Sequence, residues 1–93
     1  MTQLEKRVIL MLSTAHMKPE TAAVLSATDP RLWPVAGWPT PYGYQLMTPD
    51  GEPIDELYAD LSEVVRFATA RGFDRVEFDR DGPTIPDLPT WDW

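Results

Sequence analysis

From Ile54 onward the apolar residues Leu57, Tyr58, Leu61, Val64, Val65 and Ala68 recur at the i, i+3, i+4, i+7 spacing of one helix face without a miss. The fold has to be built around this amphipathic helix, about 54–71. Pro53 suits its first position, Gly72 suits the left-handed residue that ends it, and Phe73 can fold back onto Ala68. A chain of 93 residues has room for a single domain, 1–93, and a single core.

The remaining elements follow from local pattern. Val8 to Leu12 is an unbroken apolar run, too short for a helix. It reads as a strand buried on both faces, hence central in its sheet. Lys18-Pro19-Glu20 opens a short Ala-rich helix through Ala27, stopped by Asp29-Pro30. The run 32–49 is uncharged, with Pro34, Pro39, Pro41 and Pro49 set among Trp33, Trp38, Tyr42 and Tyr44. Rings and prolines together predict an ordered loop over 31–41 rather than a linker. Tyr42–Thr48 reads as a second strand, and Pro49-Asp50-Gly51 as a turn. Asp74–Asp79 reads as a third, with Val76 and Phe78 on one side and Glu77 and Asp79 on the other. The tail 84–93, Pro-rich and carrying Ile85, Leu88, Trp91 and Trp93, is expected to dock on the domain. The sum is an α/β domain of order β-α-β-α-β (α+β as the alternative), with a three-stranded sheet and two helices. The second strand, long helix and third strand would form a parallel, right-handed crossover.

Composition removes several function classes. Fifteen acidic residues against eight basic give a net charge of −7, which argues against direct contact with nucleic acid. The absence of cysteine excludes a disulfide framework, a thiolate nucleophile and Cys-ligated zinc. Lys6 and Arg7 before Val8–Leu12 faintly imitate a signal peptide. However, five apolar residues fall short of the roughly 7–15 of a signal core and the roughly 20 of a membrane span. A cytoplasmic protein, without membrane contact and without cofactor, monomer or homodimer, is the expectation.

The negative charge is concentrated. Residues 50–64 hold Asp50, Glu52, Asp55, Glu56, Asp60 and Glu63 with no basic residue among them. Glu56, Asp60 and Glu63 stand at i, i+4, i+7, a spacing that predicts one exposed anionic helix face for a basic partner. The same acids also complement the helix dipole on a solvated face.

Two other constellations carry chemistry. Asp79-Arg80-Asp81-Gly82 after a strand looks like the nucleophile motif of haloacid-dehalogenase-type phosphatases. Only 11 residues follow Gly82, which leaves no room for the rest of that active site. His16, just after Ser13 and Thr14, could join Asp79 and Asp81 at the carboxyl edge of parallel neighbouring strands, as a catalytic or divalent-metal set. Turn chemistry explains the same residue types without function. The third constellation is the ring set itself, Trp33, Trp38, Tyr42, Tyr44, Trp91 and Trp93, as a peptide-reading surface. Trp93, beside Asp92 at the end, is the ring least easily explained by packing.

The words Leu12-Ser13-Thr14-Ala15-His16, Phe78-Asp79-Arg80-Asp81-Gly82-Pro83 and Leu88-Pro89-Thr90-Trp91-Asp92-Trp93 together resemble a family of small bacterial proteins of unknown function, often borne on plasmids and other mobile elements. The likeness runs from the first strand to the C-terminus. It implies a bacterial, mobile-element setting and brings no catalytic residues with it. The expected role is a non-enzymatic protein-binding module acting through Asp55, Glu56, Asp60, Glu63, Trp38 and Trp93. In a mobile element its anionic face could imitate phosphates and inhibit a host nucleic-acid-binding defence protein. A metal-binding protein or small hydrolase using His16, Asp79 and Asp81, and a peptide-binding module, are the alternatives.

Overall fold

The structure, a computed structural model, describes residues 8–48 and 54–93. The turn at Pro49-Asp50-Gly51, Pro53 as a helix start, and the acids Asp50 and Glu52 lie outside the described residues. The elements run β1 (Ile9–Ser13), α1 (Pro19–Ala27), β2 (Gly37–Thr40), β3 (Gly43–Met47), α2 (Ala59–Ala70) and β4 (Arg75–Asp79). Single 3-10 turns at Thr14–His16, Pro30–Leu32 and Glu56–Tyr58 join some of them.

The sheet has four strands in the order β1-β4-β3-β2, one more than the sequence predicts. The extra strand, β2, comes from the Pro-Trp segment. It pairs with β3 alone, so Pro39 sits on an edge strand, where a missing N–H is tolerated.

A second correction concerns direction. β4 runs parallel to β1 but antiparallel to β3, so the expected parallel crossover from β3 to β4 does not form. Met47 and Ile9 both register with Arg75, so β3 finishes at the end of the sheet where β1 begins. Asp60, at the start of α2, instead bonds Lys18 at the start of α1, which follows the end of β1. α2 therefore starts at the opposite end of the sheet from the one where β3 finishes. The helix carries the chain back, and β4 then runs against β3.

A third correction is the place of β1, which is an edge strand and not a central one. Side chains alternate across a strand, and the register puts Leu10, Leu12, Tyr44, Leu46, Val76 and Phe78 on one face. Ala22 and Leu25 of α1 and Leu61, Val64 and Ala68 of α2 join Leu12, Leu46, Val76 and Phe78 in one buried cluster. Both helices thus cover the same face in a two-layer arrangement. Each large side chain fully buried there is worth about 1.5–3 kcal/mol. Ile9, Met11, Trp38, Gln45, Arg75 and Glu77 fall on the opposite face, where Ile9 and Met11 stay 41% and 48% exposed.

The long helix is shorter than its apolar period. Asp55 accepts a hydrogen bond from the Leu57 N–H (3.0 Å), which tightens the chain into a 3-10 turn. Tyr58 then leaves the helical region (φ −117°, ψ 45°), so α2 starts at Ala59 and Leu57 points into solvent. At the other end Gly72 takes φ +80° and the Phe73 N–H donates to the Ala68 carbonyl (3.0 Å), a Schellman closure.

Candidate functional site at the carboxyl rim of the sheet

Parallel pairing sets Ser13 opposite Asp79, so Thr14 and Arg80 leave the sheet side by side at one rim. Gly43 also registers with Asp79, which brings the Pro41-Tyr42 turn of the β2–β3 hairpin to the same rim. The tail then closes over it. The Asp79 carboxylate accepts from the Asp81 N–H (2.8 Å), and the Gly82 N–H donates to the Asp79 carbonyl (2.9 Å). Gly82 passes so near β1 that a Cβ there would lie 2.7 Å from the Leu12 carbonyl oxygen, a contact no side chain could make. Pro83 in turn accepts from the Ser13 N–H (2.7 Å).

Beyond Pro83 the tail is strapped to residues 15–18. The Ile85 N–H donates to His16 Nε2 (2.8 Å), and His16 Nδ1 donates to the Pro89 carbonyl (2.8 Å). The two partners fix the Nδ1–H tautomer, since the carbonyl can only accept and the amide can only donate. The Trp91 N–H donates to the Ala15 carbonyl (2.9 Å), and the Trp93 indole N–H to the Met17 carbonyl (3.1 Å). The Lys18 ammonium lies 5.9 Å from the centre of the Trp91 ring. Leu88 is buried in the core, and Ile85 packs against it.

These connections leave a groove of about 610 Å³, walled by Trp33, Pro39, Tyr42, Tyr44 and Trp93, with Arg80 at its side. The Tyr44 hydroxyl is tied to Ser26 and to the Ala22 carbonyl, and its ring meets Trp33 edge to face. Tyr42 and Trp93 are 57% and 63% exposed, yet Trp93 is held by its indole bond. In the chain between the groove residues Thr28 and Pro30, bonds from the Arg31 side chain, and then from its backbone N–H, hold the Asp29 carboxyl below the usual carboxylate range. That charge is paired. Arg80 makes no ion pair among the described residues, and its guanidinium stands 6.0 Å from the Tyr42 ring centre.

The sequence candidates are distributed unequally around this rim. His16, Asp79 and Asp81 reach the same end of the sheet, but His16 is fully buried with both ring nitrogens bonded to the tail. Among the described residues no three His, Asp or Glu side chains gather as a metal site. Trp93 lines the groove, while Trp38 lies on β2 with its ring 5.1 Å from the Arg75 guanidinium. Arg80 is not among the residues that sequence pattern singles out, although it directly follows an alternating strand and stands between the candidate acids Asp79 and Asp81.

The anionic face needs a correction. Asp55, Glu56 and Glu63 are exposed, but Glu56 belongs to the 3-10 turn and Asp60 is buried at 2% exposure. Asp60 Oδ2 accepts from the Lys18 N–H (2.8 Å), which serves the N-terminus of α1, where Lys18 supplies no side-chain cap. Asp60→Ala is therefore expected to cost about 1–3 kcal/mol, whereas Asp60→Asn, which keeps an acceptor, costs much less. Glu63→Ala should stay within about 0.5 kcal/mol. Urea denaturation of the three variants checks the order; equal effects at Asp60 and Glu63 would remove Asp60 from this structural role.

A small two-layer α/β domain with an aromatic groove at one sheet rim is thus the class of protein that fold and site define. The model of a family of unknown function, DUF5983, C-terminal domain, matches residues 9–93, and the chain belongs to that family. No curated protein and no solved structure matches it. Among the described residues no helix is long and apolar enough to cross a membrane.

Proposed function

We propose that this domain is a non-enzymatic protein-binding module, and that its ligand is an extended apolar segment of a partner carrying one carboxylate. The observation that carries this reading is Trp93, a large ring left mostly in solvent yet pinned by its indole N–H at the mouth of a proline- and aromatic-walled groove. Rigid aromatic anchors beside a concave apolar surface are what binding hot spots are made of. Arg80, the groove's unpaired cation among the described residues, supports the choice of a carboxylate over the basic surface that the acid row suggested. With Asp60 inside the domain, the phosphate-imitating face loses its middle member, and a role against a host defence protein would have to run through the groove.

The test is selection of peptides from a random phage-displayed library against the whole chain, followed by titration monitored by tryptophan fluorescence. Enriched peptides should be apolar with a conserved Asp or Glu. Their affinity should fall about tenfold or more for Trp93→Ala and for Arg80→Glu, since a fixed aromatic or a charge-assisted bond contributes at least 1.4 kcal/mol, a factor of ten. Peptides that bind both variants as tightly as the parent would end the groove reading.

A further inference from the structure

The outer edge of β1 has no strand against it among the described residues. The backbone of this strand alternates, and Val8 turns its N–H and C=O toward β4, bonding the Asp74 carboxylate (2.9 Å) and the Asp74 N–H (2.7 Å). Leu10 and Leu12 follow Val8, so Ile9, Met11 and Ser13 direct their backbone groups away from β4. Of these three, Ser13 is engaged, because its N–H donates to Pro83 where the tail comes round the end of the strand. Beyond Ile9 and Met11 no strand lies among the described residues.

An unpaired edge of this kind is usually guarded by lysine, proline or a bulge. β1 reads Ile-Leu-Met-Leu-Ser, with no charge and no proline, and its Ile9 and Met11 side chains remain 41% and 48% exposed beside a 47% exposed Val8. Its sequence has the double-sided apolar character of a central strand, while the single chain leaves it at the margin.

We infer that β1 pairs antiparallel with β1 of a second copy, joining two four-stranded sheets into one of eight. Pro83 blocks the Ser13 end, so the open stretch is centred on Leu10. A two-fold axis there sets Ile9 opposite Met11 of the partner copy, and Met11 opposite its Ile9. Both are outward-facing pairs that exchange backbone hydrogen bonds. Leu10 meets its own counterpart on the helix-covered face, and Ile9 and Met11 meet on the open face, so both sides of the strand become covered. A strand without charge brings no like-charge repulsion to a self-pairing of this kind. This inference is independent of the groove, whose walls include no β1 residue.

Sedimentation equilibrium and amide hydrogen exchange of the whole chain test it. The parent protein should show a concentration-dependent monomer–dimer equilibrium, with the Ile9 and Met11 amides protected at high concentration and released on dilution. Ile9→Lys/Met11→Lys should be monomeric throughout with an unchanged circular dichroism spectrum, and Trp38→Lys, on the opposite edge strand, should dimerise like the parent. A parent that stays monomeric up to millimolar concentration overturns the inference. So does a dimer in which the Ile9 and Met11 amides exchange freely, or one that Trp38→Lys dissociates.

Discussion

Trp33→Ala is expected to lower the unfolding free energy by about 3–5 kcal/mol, the range for deleting a large buried aromatic. At roughly 4–8 °C per kcal/mol for a domain of this size, the melting temperature should fall by on the order of 20 °C. Two effects add at this position. The ring is 8% exposed and belongs to the core cluster, standing edge to face with Tyr44 at 6.0 Å. Its indole N–H also donates to the carbonyls of Leu25 (3.1 Å) and Thr28 (3.0 Å), which lie at the C-terminal end of α1. That helix ends without a basic residue in its last turn, and its C-cap Thr28 is extended. The tryptophan supplies the donor that a glycine-type closure would otherwise provide. Trp33→Phe keeps most of the packing and loses the donor, so about 1–2 kcal/mol of the loss should appear with phenylalanine and the rest only with alanine. Thermal melts of the two variants separate the contributions. A loss below about 1 kcal/mol for alanine would mean that the 31–41 segment is not anchored through this ring.

Trp33 also shows which parts of the fold local pattern could reveal. A helix advertises itself by its own period, so α2 and its glycine stop were legible, as was the alternation of Val76 and Phe78 in β4. Pairing between distant segments carries no such local sign. The rings and prolines of 31–41 read as an ordered loop, yet Pro39 fits an edge strand, which needs hydrogen bonds on one side only, and β2 takes them from β3. The direction of β4 depended on where α2 begins. That in turn shows in the bond from the Lys18 N–H to Asp60, a contact between residues 42 positions apart that the apolar period does not register. The apolar run of β1 reads as burial on both faces. The run is real, but among the described residues no strand covers its outer edge.

The site was legible in a similar, partial way. Parallel neighbouring strands would bring Ser13, Thr14 and His16 to the same end as Asp79 and Asp81, and they do. What those residues do there follows from what crosses the rim. The tail brings carbonyls and amides, which occupy His16 and Ser13 before any ligand can. The exposed anionic row failed for a different reason. A helix-period argument assumes that the polar side of α2 faces water throughout, whereas Asp60 faces the start of α1. An unsatisfied helix N-terminus elsewhere in the chain was the competing demand, and sequence spacing does not show it.

His16→Ala is expected to cost about 3 kcal/mol and to release the tail. The imidazole is fully buried and joins residues 69 and 73 positions away, the Ile85 N–H at 2.8 Å and the Pro89 carbonyl at 2.8 Å. Removing it leaves one donor and one acceptor unpaired in the interior, at about 1–3 kcal/mol each when water does not reach them, and adds a cavity. A melting temperature lower by roughly 10–20 °C should follow. The tail should become the first site of cleavage in limited proteolysis, because Trp91 and Trp93 each keep a single bond to residues 15–17 once the histidine is gone. The competing role for the same side chain is a metal ligand, and the two roles diverge on addition of metal. A strap with both nitrogens engaged gives an unchanged melting temperature for the parent protein in excess zinc, manganese or magnesium. A ring that turns outward to a cation would raise it, by about 2.7 kcal/mol of stability at a hundred times the dissociation constant. A metal-dependent rise that His16→Ala abolishes would return His16, Asp79 and Asp81 to the centre of the chemistry. The strap instead predicts that the alanine variant is simply less stable, whatever ion is present.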